Sequence, residues 1–504
     1  MTVILGQKRL LKVASFLSFL MLFMFGNVTI SQAQRSFWSR QEKIPEYNEV
    51  TEEPPYMIPD QNHIIHGFNS QPLQLDLQDS PRAIFYRFWT LENGWSIPND
   101  ILFDQSGSSL DLVGVTSDKL GLVHLVYEGN SNNLYYTQST LAAAGQPDSW
   151  SVPQLIASSV TTIRPGIANV GAIAASADGN QIVVVFSGAE FGSGLYFVGS
   201  VDHGESWSTP YPVYLASGNL LITDPEIYSS ESNNFYSVWT TLQSDGFGGP
   251  GYFARFDSGT ASWTEPMQID IPGIRTPSVI EYDNAVFISY HHINSNGNWW
   301  RRSEDRGQTW SYPSQVSAPH VGTNGGLSFV VDSRDILHAF FGERIDDNNH
   351  GMWHVIWTGK TWSTPEAVVR GSQVKDIVGG RGFDPRSARA VISNGNLVLV
   401  AWGTDGAAGL NGSWFSYKVL DAPEIANEPL PLPTDLNLFS STPYISALPD
   451  TIAQSTSIPG LINEKASSEL LQSPQTYILI GVIPVVLTLL GVILFFAFIR
   501  PNRR

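Results

Sequence analysis

Arginine and acidic side chains recur beside short apolar runs along the middle of this 504-residue chain. A guanidinium binds a carboxylate through two parallel hydrogen bonds, so converging arginines favour an anionic ligand. One group precedes apolar runs typical of strands: Arg164, Asp224, Arg275, Arg381 and Arg386. A second group ends such runs: Glu128, Tyr290, His291, Glu343 and Arg344. The alternative is that these residues pair with one another and hold neighbouring parts of the fold together.

The composition favours short strands and argues against nucleic-acid binding. Aromatic residues make up 12% of the chain and charged residues 15%, with 44 glycines and 31 prolines, which is typical of strands joined by turns. The formal net charge is −18, whereas binding to a phosphate backbone requires a basic face. No cysteine is present, so a hydrophobic core must supply the stability without disulfides.

No metal or cofactor is predicted from the sequence. Oxygen-bearing side chains are grouped at residues 343–350, but they lack the ordered spacing of a calcium-binding loop. A solvated turn is therefore the favoured interpretation of this stretch.

Both ends of the chain carry patterns associated with membranes. Residues 1–33 combine basic residues, an apolar run and a small-residue site, which predicts a signal peptide cleaved before Gln34; an uncleaved anchor is the alternative. Residues 477–499 are uncharged and long enough to cross a bilayer, and residues 500–504 are basic. This pattern predicts a single-pass type I membrane protein with its main domain outside the cell and a cytoplasmic tail.

Two irregular segments flank the central region. Residues 34–78 show no regular period, and residues 421–476 are rich in Pro, Ser and Thr. The second segment is typical of a stalk that holds a domain away from a surface.

A short motif repeats through the central region. Trp, then Ser or Thr, then any residue, then Pro recurs at spacings of about fifty residues, which is typical of a β-propeller with four strands per blade. The copies begin at Trp95, Trp150, Trp207, Trp263, Trp310 and Trp362. After the last copy only three strands follow, and the segment ending at Trp95 could supply their fourth. The sequence therefore predicts an all-β, six-bladed β-propeller over residues 79–420, closed by one composite blade.

In two of these copies the Trp is also the last residue of a longer pattern, Ser-x-Asp-x-Gly-x-x-Trp. The copies are Ser200, Asp202, Gly204 and Trp207, and Ser303, Asp305, Gly307 and Trp310. This pattern is the Asp-box, or BNR repeat, and the propeller region resembles the sialidase superfamily. The Ser and Asp side chains can bond the amides of their own turn, Gly accepts a positive φ and Trp packs on the sheet. The box is therefore expected to be structural.

The resemblance implies a ligand site over the central channel, where the first strand of each blade begins and the second ends. The residues expected to bind substrate there are Arg164, Arg275, Arg381, Arg386, Arg344, Asp224 and His291. Those expected to act in catalysis are Glu343, Glu128 and Tyr290. Sialidases carry an aromatic residue before an Arg-Ile-Pro sequence, which Arg275 in "IRTP" and Arg164 in "IRPG" lack, and no Tyr stands at the start of the last inner strand.

The function implied by the resemblance is glycan recognition, with hydrolysis of a terminal, sialic-acid-like sugar as a further step. If the chain is an enzyme, it is expected to be a glycoside hydrolase of the exo-α-sialidase type. A lectin-like propeller and an adhesive or protein-interaction platform are the alternatives. The expected partners are a glycan or glycoconjugate and, through the C-terminal helix, a membrane.

Overall fold

We describe the chain from a computed structural model. The described residues are 37–47, 53–74, 80–158, 160, 170–218, 220–242, 248–295, 297–317, 323–344, 350–370, 385–404 and 412–425. At 323–325, 343, 344, 350, 386 and 404 the description covers the backbone only.

The strands, numbered in chain order, form seven antiparallel sheets within the described residues. The chain begins with β1 (Glu42–Lys43) and the first complete sheet, made of β2 (Tyr56–Pro59), β3 (Ile65–Pro72), β4 (Arg82–Thr90), β5 (Gly94–Trp95) and β6 (Asn99–Leu102). The second sheet contains β7 (Asp111–Ser117), β8 (Leu122–Gly129), β9 (Asn133–Thr140) and β10 (Gln154–Ala157). The third contains β11 (Gly171–Ala175), β12 (Ile182–Gly188), β13 (Gly194–Ser200) and β14 (Tyr211–Leu215). We call these sheets blades 1, 2 and 3.

The remaining sheets follow the same plan and are called blades 4 to 7. Blade 4 contains β15 (Leu221–Ser229), β16 (Asn234–Leu242), β17 (Gly248–Asp257), β18 (Ser262–Trp263) and β19 (Met267–Gln268). Blade 5 contains β20 (Ile274–Tyr282), β21 (Ala285–His292), β22 (Gly297–Ser303) and β23 (Ser314–Gln315). Blade 6 contains β24 (Thr323–Val331), β25 (Leu337–Arg344), β26 (His350–Ile356) and β27 (Glu366–Arg370). Blade 7 contains β28 (Pro385–Ser393), β29 (Leu397–Thr404) and β30 (Ser413–Val419), with β1 as its outer strand. Short 3₁₀ turns lie at Asn130–Asn132, Leu141–Ala143 and Pro147–Ser149.

Burial explains why these segments form strands. The second strand of a blade is covered on both faces by neighbouring blades, so it is a continuous apolar run, as in the fully buried β12 with sequence IVVVFSG. Outer strands such as β14 keep one side in solvent and are only partly buried. The aromatic and β-branched residues that dominate both kinds of strand suit a pleated, packed surface.

Seven hydrophobic clusters of described residues lie between consecutive blades and close them into a ring. The closing cluster joins Leu397 and Leu399 of blade 7 to Met57, Ile65 and Trp89 of blade 1. The first strand of each blade is its innermost strand. It contacts the first strand of the next blade, including β28 with β2. The described part of the chain is therefore a seven-bladed β-propeller.

The prediction of six blades is wrong because the N-terminal segment was taken as irregular. Residues 56–72 contain two strands that pair with each other, and the second of them pairs with Arg82–Thr90, so this region builds a blade of its own. The outer strand of blade 7 is instead Glu42–Lys43, which pairs with Trp414 and Phe415. The composite closure was predicted, but with the wrong partner strand.

The membrane prediction also requires correction. Among the described residues no helix is long and apolar enough to cross a bilayer. The prediction of a single-pass type I membrane protein with a transmembrane helix is therefore not supported, and we do not retain it. The predicted span at residues 477–499, the signal peptide at 1–33 and all but the first five residues of the stalk lie outside the described residues.

The two Asp-box turns have the same geometry. Gly204 N donates to Ser200 Oγ at 2.9 Å and Ser206 N donates to Asp202 Oδ1 at 2.9 Å. In the second turn, Gly307 N donates to Ser303 Oγ at 2.7 Å and Thr309 N to Asp305 Oδ1 at 2.7 Å. Each turn joins the third strand of a blade to its fourth, on the side of the ring opposite the starts of the innermost strands.

Each box glycine lies against an aromatic ring of the preceding blade. A Cβ on Gly204 would come within 2.4 Å of Tyr136, and a Cβ on Gly307 within 2.2 Å of Phe253, while both glycines have positive φ. The box tryptophans pack on the same rings, with centroid distances of 4.7 Å for Trp207 and Tyr136 and 5.1 Å for Trp310 and Phe253. The boxes therefore attach one blade to the next.

Replacing Asp202 with alanine is expected to lower the free energy of unfolding by about 1 kcal/mol, because the carboxylate accepts hydrogen bonds from the amide and the hydroxyl of Ser206 in its own turn. Burial alone would raise the pKa of Asp202, but hydrogen bonds from Ser206 and Ser200 outweigh it and lower that pKa. Denaturant titration at neutral pH measures the loss. A variant of wild-type stability that had lost ligand binding would contradict this structural role.

Candidate functional site

Three innermost strands begin with the same irregularity. The register between the first and second strands shifts between Thr223 and Glu226 in blade 4, between Arg275 and Ser278 in blade 5, and between Arg386 and Arg389 in blade 7. In each blade, the residue that follows the first residue of this pair has a positive φ: Asp224 at 51°, Thr276 at 42° and Ser387 at 49°. Such bulges redirect side chains, and backbone strain at non-glycine residues is concentrated at functional sites.

Arg389 is the centre of the charged groups that these bulges present. Its guanidinium lies 3.6 Å from the centroid of the Tyr56 ring and 3.4 Å from the carboxylate of Glu53, and it donates a hydrogen bond to the carbonyl of Pro54. The Ser387 hydroxyl donates to the other Glu53 oxygen at 2.9 Å. The segment just before β2 is thus joined to the start of β28, and Glu53 is placed at the channel.

Glu226 is the first residue after the bulge of blade 4. Burial raises the pKa of Glu226 to about 8, against the opposing effects of a hydrogen bond with Ser278 and the charge of Arg389. The corresponding residues in blades 2, 5 and 6 are Gly114, Ser278 and Ser328. Glu226 and, in blade 7, Arg389 are the residues with long side chains at this position.

Asp224 supplies a third carboxyl group. Its Oδ2 accepts a long hydrogen bond of 3.4 Å from the amide of Thr276 in the neighbouring blade. Burial and, more weakly, the charge of Glu53 raise the pKa of Asp224 to about 6, while the Thr276 hydrogen bond and Arg275 act in the opposite direction. Burial therefore raises the pKa of both carboxyl groups, and that of Glu226 more than that of Asp224.

Arg275 and His291 face one another across β20 and β21, where their Cα atoms are paired. Arg275 is exposed, whereas His291 is 3% exposed and its Nε2 has no hydrogen-bond partner within the described part of the chain. Burial and then the charge of Arg275 lower the pKa of His291 to about 4. A neutral imidazole and a guanidinium thus stand side by side at the channel end of blade 5.

The other predicted site residues pack between blades, lie at the same end of another blade or are incompletely described. Tyr290 belongs to the cluster between blades 4 and 5 and donates a hydrogen bond to Asp270; burial and this bond raise the pKa of its hydroxyl. Glu128 is buried near the end of β8, paired with Asp111. Glu343 and Arg344 end β25 and Arg386 begins β28, with backbone described only; Arg164 and Arg381 lie outside the described residues.

Four residues of this site were not predicted from the sequence: Glu53, Tyr56, Glu226 and Arg389. Glu53 and Tyr56 lie in the segment interpreted as irregular, and Glu226 and Arg389 lie beyond the strand starts that were considered. A signal was present in blades 4 and 5, because Asp224-Pro225-Glu226 and Thr276-Pro277-Ser278 occupy equivalent positions.

A second set of polar residues was also missed, on the opposite side of the ring. Three blades share Asp-x₅-His, in which the Asp lies at the turn after the first strand and the His on the second strand: Asp60 and His66, Asp118 and His124, and Asp332 and His338. Asp118 Oδ1 accepts amide hydrogen bonds from Leu120 and Leu122 at 2.9 and 3.0 Å, and its Oδ2 lies 3.2 Å from His124 Nε2. Because these hydrogen bonds hold the turn between the first two strands of a blade, we interpret the Asp-x₅-His pairs as structural. Among the described residues no group of three His, Asp or Glu side chains could hold a metal ion.

Comparison with solved structures gives likenesses at low sequence identity. No protein-family model and no curated protein matches the chain. Among solved structures, a protein of unknown function from Dyadobacter fermentans is similar at 13% identity and a TM-score of 0.46, over 76% of this chain and 99% of that one. The Hadza microbial sialidase Hz136 is similar at 10% identity and a TM-score of 0.42, over 67% of this chain and 74% of that one.

A polysaccharide lyase, the PL25 ulvan lyase, is similar at 11% identity and a TM-score of 0.38, over 58% of this chain and 77% of its own. At these identities and TM-scores the likenesses carry no argument about function. Membership of the sialidase superfamily therefore stays a prediction that rests on the Asp-box pattern.

Proposed function

We propose that the channel face of this propeller binds a glycan that carries a carboxylate. The observation that supports the proposal is the convergence of two guanidinium groups and three carboxyl groups from separate segments: Arg275, Arg389, Glu53, Asp224 and Glu226. These groups can match both the acidic group and the hydroxyls of a sugar. The exposed Arg275 is the member best placed to receive the ligand carboxylate.

The alternative is that these groups only hold the blades together. Arg389 does pair with Glu53, which is consistent with such a role. The repeated bulge favours a ligand, because three blades carry a non-glycine residue with positive φ at the same channel position, and strained backbone of this kind is found at functional sites. His291 Nε2, unpartnered among the described residues, is a further polar group at this end of blade 5.

Hydrolysis of the bound glycoside is the second candidate, and the protonation of Asp224 and Glu226 favours it. Glycosidases use one carboxyl group as acid and another as base or nucleophile, and environments that separate two pKa values are typical of such pairs. Burial sets the pKa values of Asp224 and Glu226 at about 6 and about 8. A terminal, sialic-acid-like sugar is the substrate class that the sequence resemblance implies.

The test is a panel of acidic glycans with neutral counterparts of the same backbone, together with fluorogenic glycosides of the same acidic sugars. We expect binding of one or more acidic glycans and no binding of the matched neutral ones. Release of the fluorophore would support hydrolysis; binding without release would support a lectin. Binding to no glycan at all would contradict the proposal and leave the adhesive or protein-interaction platform.

A further inference from the structure

The segment that carries Glu53 to the channel is packed into the junction between blades 7 and 1. Ile44 follows the pairing of β1 with β30, and its amide donates a hydrogen bond to the Ser413 carbonyl at 2.8 Å. Ile44 and Tyr47 are 0% and 1% exposed and belong to the hydrophobic cluster that closes the ring. We call residues 44–47 and 53–56 the N-terminal strap; residues 48–52 lie outside the described part of the chain.

A buried arginine of blade 1 fixes the first part of the strap. Arg87 on β4 is 0% exposed and donates a hydrogen bond to the Pro45 carbonyl at 2.7 Å. A second nitrogen of its guanidinium donates to Gln71 Oε1 at 3.2 Å, and the group lies 4.9 Å from the centroid of the Tyr47 ring. Because a buried cation requires such contacts in place of water, Arg87 holds the Tyr47 ring in one position.

The Tyr47 hydroxyl in turn fixes the main chain of Glu53. It donates a hydrogen bond to the Glu53 carbonyl at 2.5 Å, and Ser413 Oγ donates to the same carbonyl at 3.3 Å. The Glu53 carboxylate contacts Ser387 at 2.9 Å and Arg389 at 3.4 Å. Glu53 is therefore held at both its main chain and its side chain, while 51% of the side chain stays exposed and accessible to a ligand.

We propose that Tyr47 is a positioning residue of the channel site, which acts through Glu53 and does not touch the ligand itself. This inference rests on the proposed function for the identity of the ligand, but not for the placement of Glu53. The strap also supplies the Pro54 carbonyl and the Tyr56 ring that contact Arg389. A site whose groups are already ordered binds more tightly, because the ligand does not have to order them.

The placement of Glu53 can be measured without a ligand. The strap variant combines Tyr47→Phe with Ser413→Ala, which removes both hydroxyls that reach the Glu53 carbonyl and keeps an aromatic ring beside Arg87. In crystal structures we expect the Glu53 carboxylate to be hydrogen-bonded to Ser387 in the wild type and displaced from it in the strap variant. Tyr47→Phe alone serves for the same comparison if the double variant does not fold. A Glu53 carboxylate that keeps its place would overturn the inference.

The matched control variant combines Tyr282→Phe with Ser258→Ala. These two hydroxyls also donate to main-chain carbonyls, at 2.6 Å to Asp335 and at 2.5 Å to Asn233, but they lie on the side of the Asp-box turns. Both double variants lose the same kinds of hydrogen bond, so denaturant titration should show similar losses of stability. Only the strap variant should displace Glu53.

Binding of the tightest acidic glycan of the panel tests the role of Tyr47 in the site. The strap variant should bind it about tenfold more weakly than the wild type, because two hydrogen bonds no longer keep Glu53 in the binding-competent position. The control variant should bind like the wild type. In a Glu53→Ala background, where Arg275 still provides binding, the strap substitutions should cause no further loss, since they act through Glu53. An equal loss in both backgrounds would overturn the inference.

The two measurements together separate this inference from the proposed function. Weaker binding by the strap variant with Glu53 in its wild-type place would overturn the inference and leave the proposed function intact. If no glycan binds the wild type, the proposed function fails and the role of Tyr47 in binding fails with it. A displaced Glu53 in the strap variant would in that case still support the placement of Glu53 by Tyr47.

Discussion

Replacing His124 with leucine is expected to lower the free energy of unfolding by about 3 kcal/mol or more, the usual result of removing one partner of a buried ionisable pair. The side chains of His124 and Asp118 are both 0% exposed. His124 Nδ1 also lies 2.8 Å from the Tyr136 hydroxyl, and the Tyr136 ring is the surface on which the Asp-box of blade 3 packs. Leucine would leave Asp118 buried without this partner and would loosen the junction between blades 2 and 3.

Equilibrium unfolding in denaturant at pH 7 measures this effect, with Lys119→Ala as the control. Lys119 is adjacent in sequence, but its ion pair with Glu231 lies at the surface, where such pairs contribute little. The control should therefore unfold like the wild type. A His124→Leu protein that is as stable as Lys119→Ala would show that the Asp-x₅-His pairs do not stabilise the blades.

Replacing Arg275 with alanine is expected to weaken binding of an acidic glycan by about 1.5–3 kcal/mol, the range for a hydrogen bond to a charged group. Arg275 is exposed at the channel end of β20, so the melting temperature should change little. Arg275→Lys should restore only part of the affinity, because an ammonium cannot form the two-pronged contact with a carboxylate. Titration calorimetry on the wild type and both variants, at low and high salt, provides the measurement.

The salt dependence and the melting temperature distinguish the two roles of Arg275. If the residue binds the ligand carboxylate, the difference between wild type and alanine variant should shrink at high salt, since salt screens the exposed charge. If it only holds blades 4 and 5 together, the melting temperature should fall and the affinity of the folded protein should stay constant. The second pattern would remove Arg275 from the site.

The repeating pattern of the sequence was sufficient to predict the architecture, but not the number of blades. Trp-Ser/Thr-x-Pro marks the outer part of blades 1 to 6, where Trp packs between sheets, and it correctly predicts an all-β propeller. Blade 7 takes its outer strand from Glu42–Lys43, two exposed residues without an apolar pattern. A strand this short is specified by the partner it meets after the ring closes, so local sequence could not reveal it.

Part of the candidate site was also predictable from the sequence, and part depended on contacts between distant segments. Asp224, Arg275 and His291 were expected at the channel ends of strands, and the structure places them at the start of β15, the start of β20 and the end of β21. The Glu53 carboxylate contacts Ser387 and Arg389, which lie more than three hundred residues later in the chain. Such a contact depends on the closure of the ring, so no local pattern of residues predicts it.

The most direct test of the central claim is a crystal structure of the protein with the acidic glycan that binds most tightly in the panel. We expect the glycan in the central channel, with its carboxylate within hydrogen-bond distance of Arg275 and an oxygen within hydrogen-bond distance of the Glu226 carboxyl group. A glycan bound on the side of the Asp-box turns or at the outer rim, with only solvent beside Arg275 and Glu226, would contradict the account.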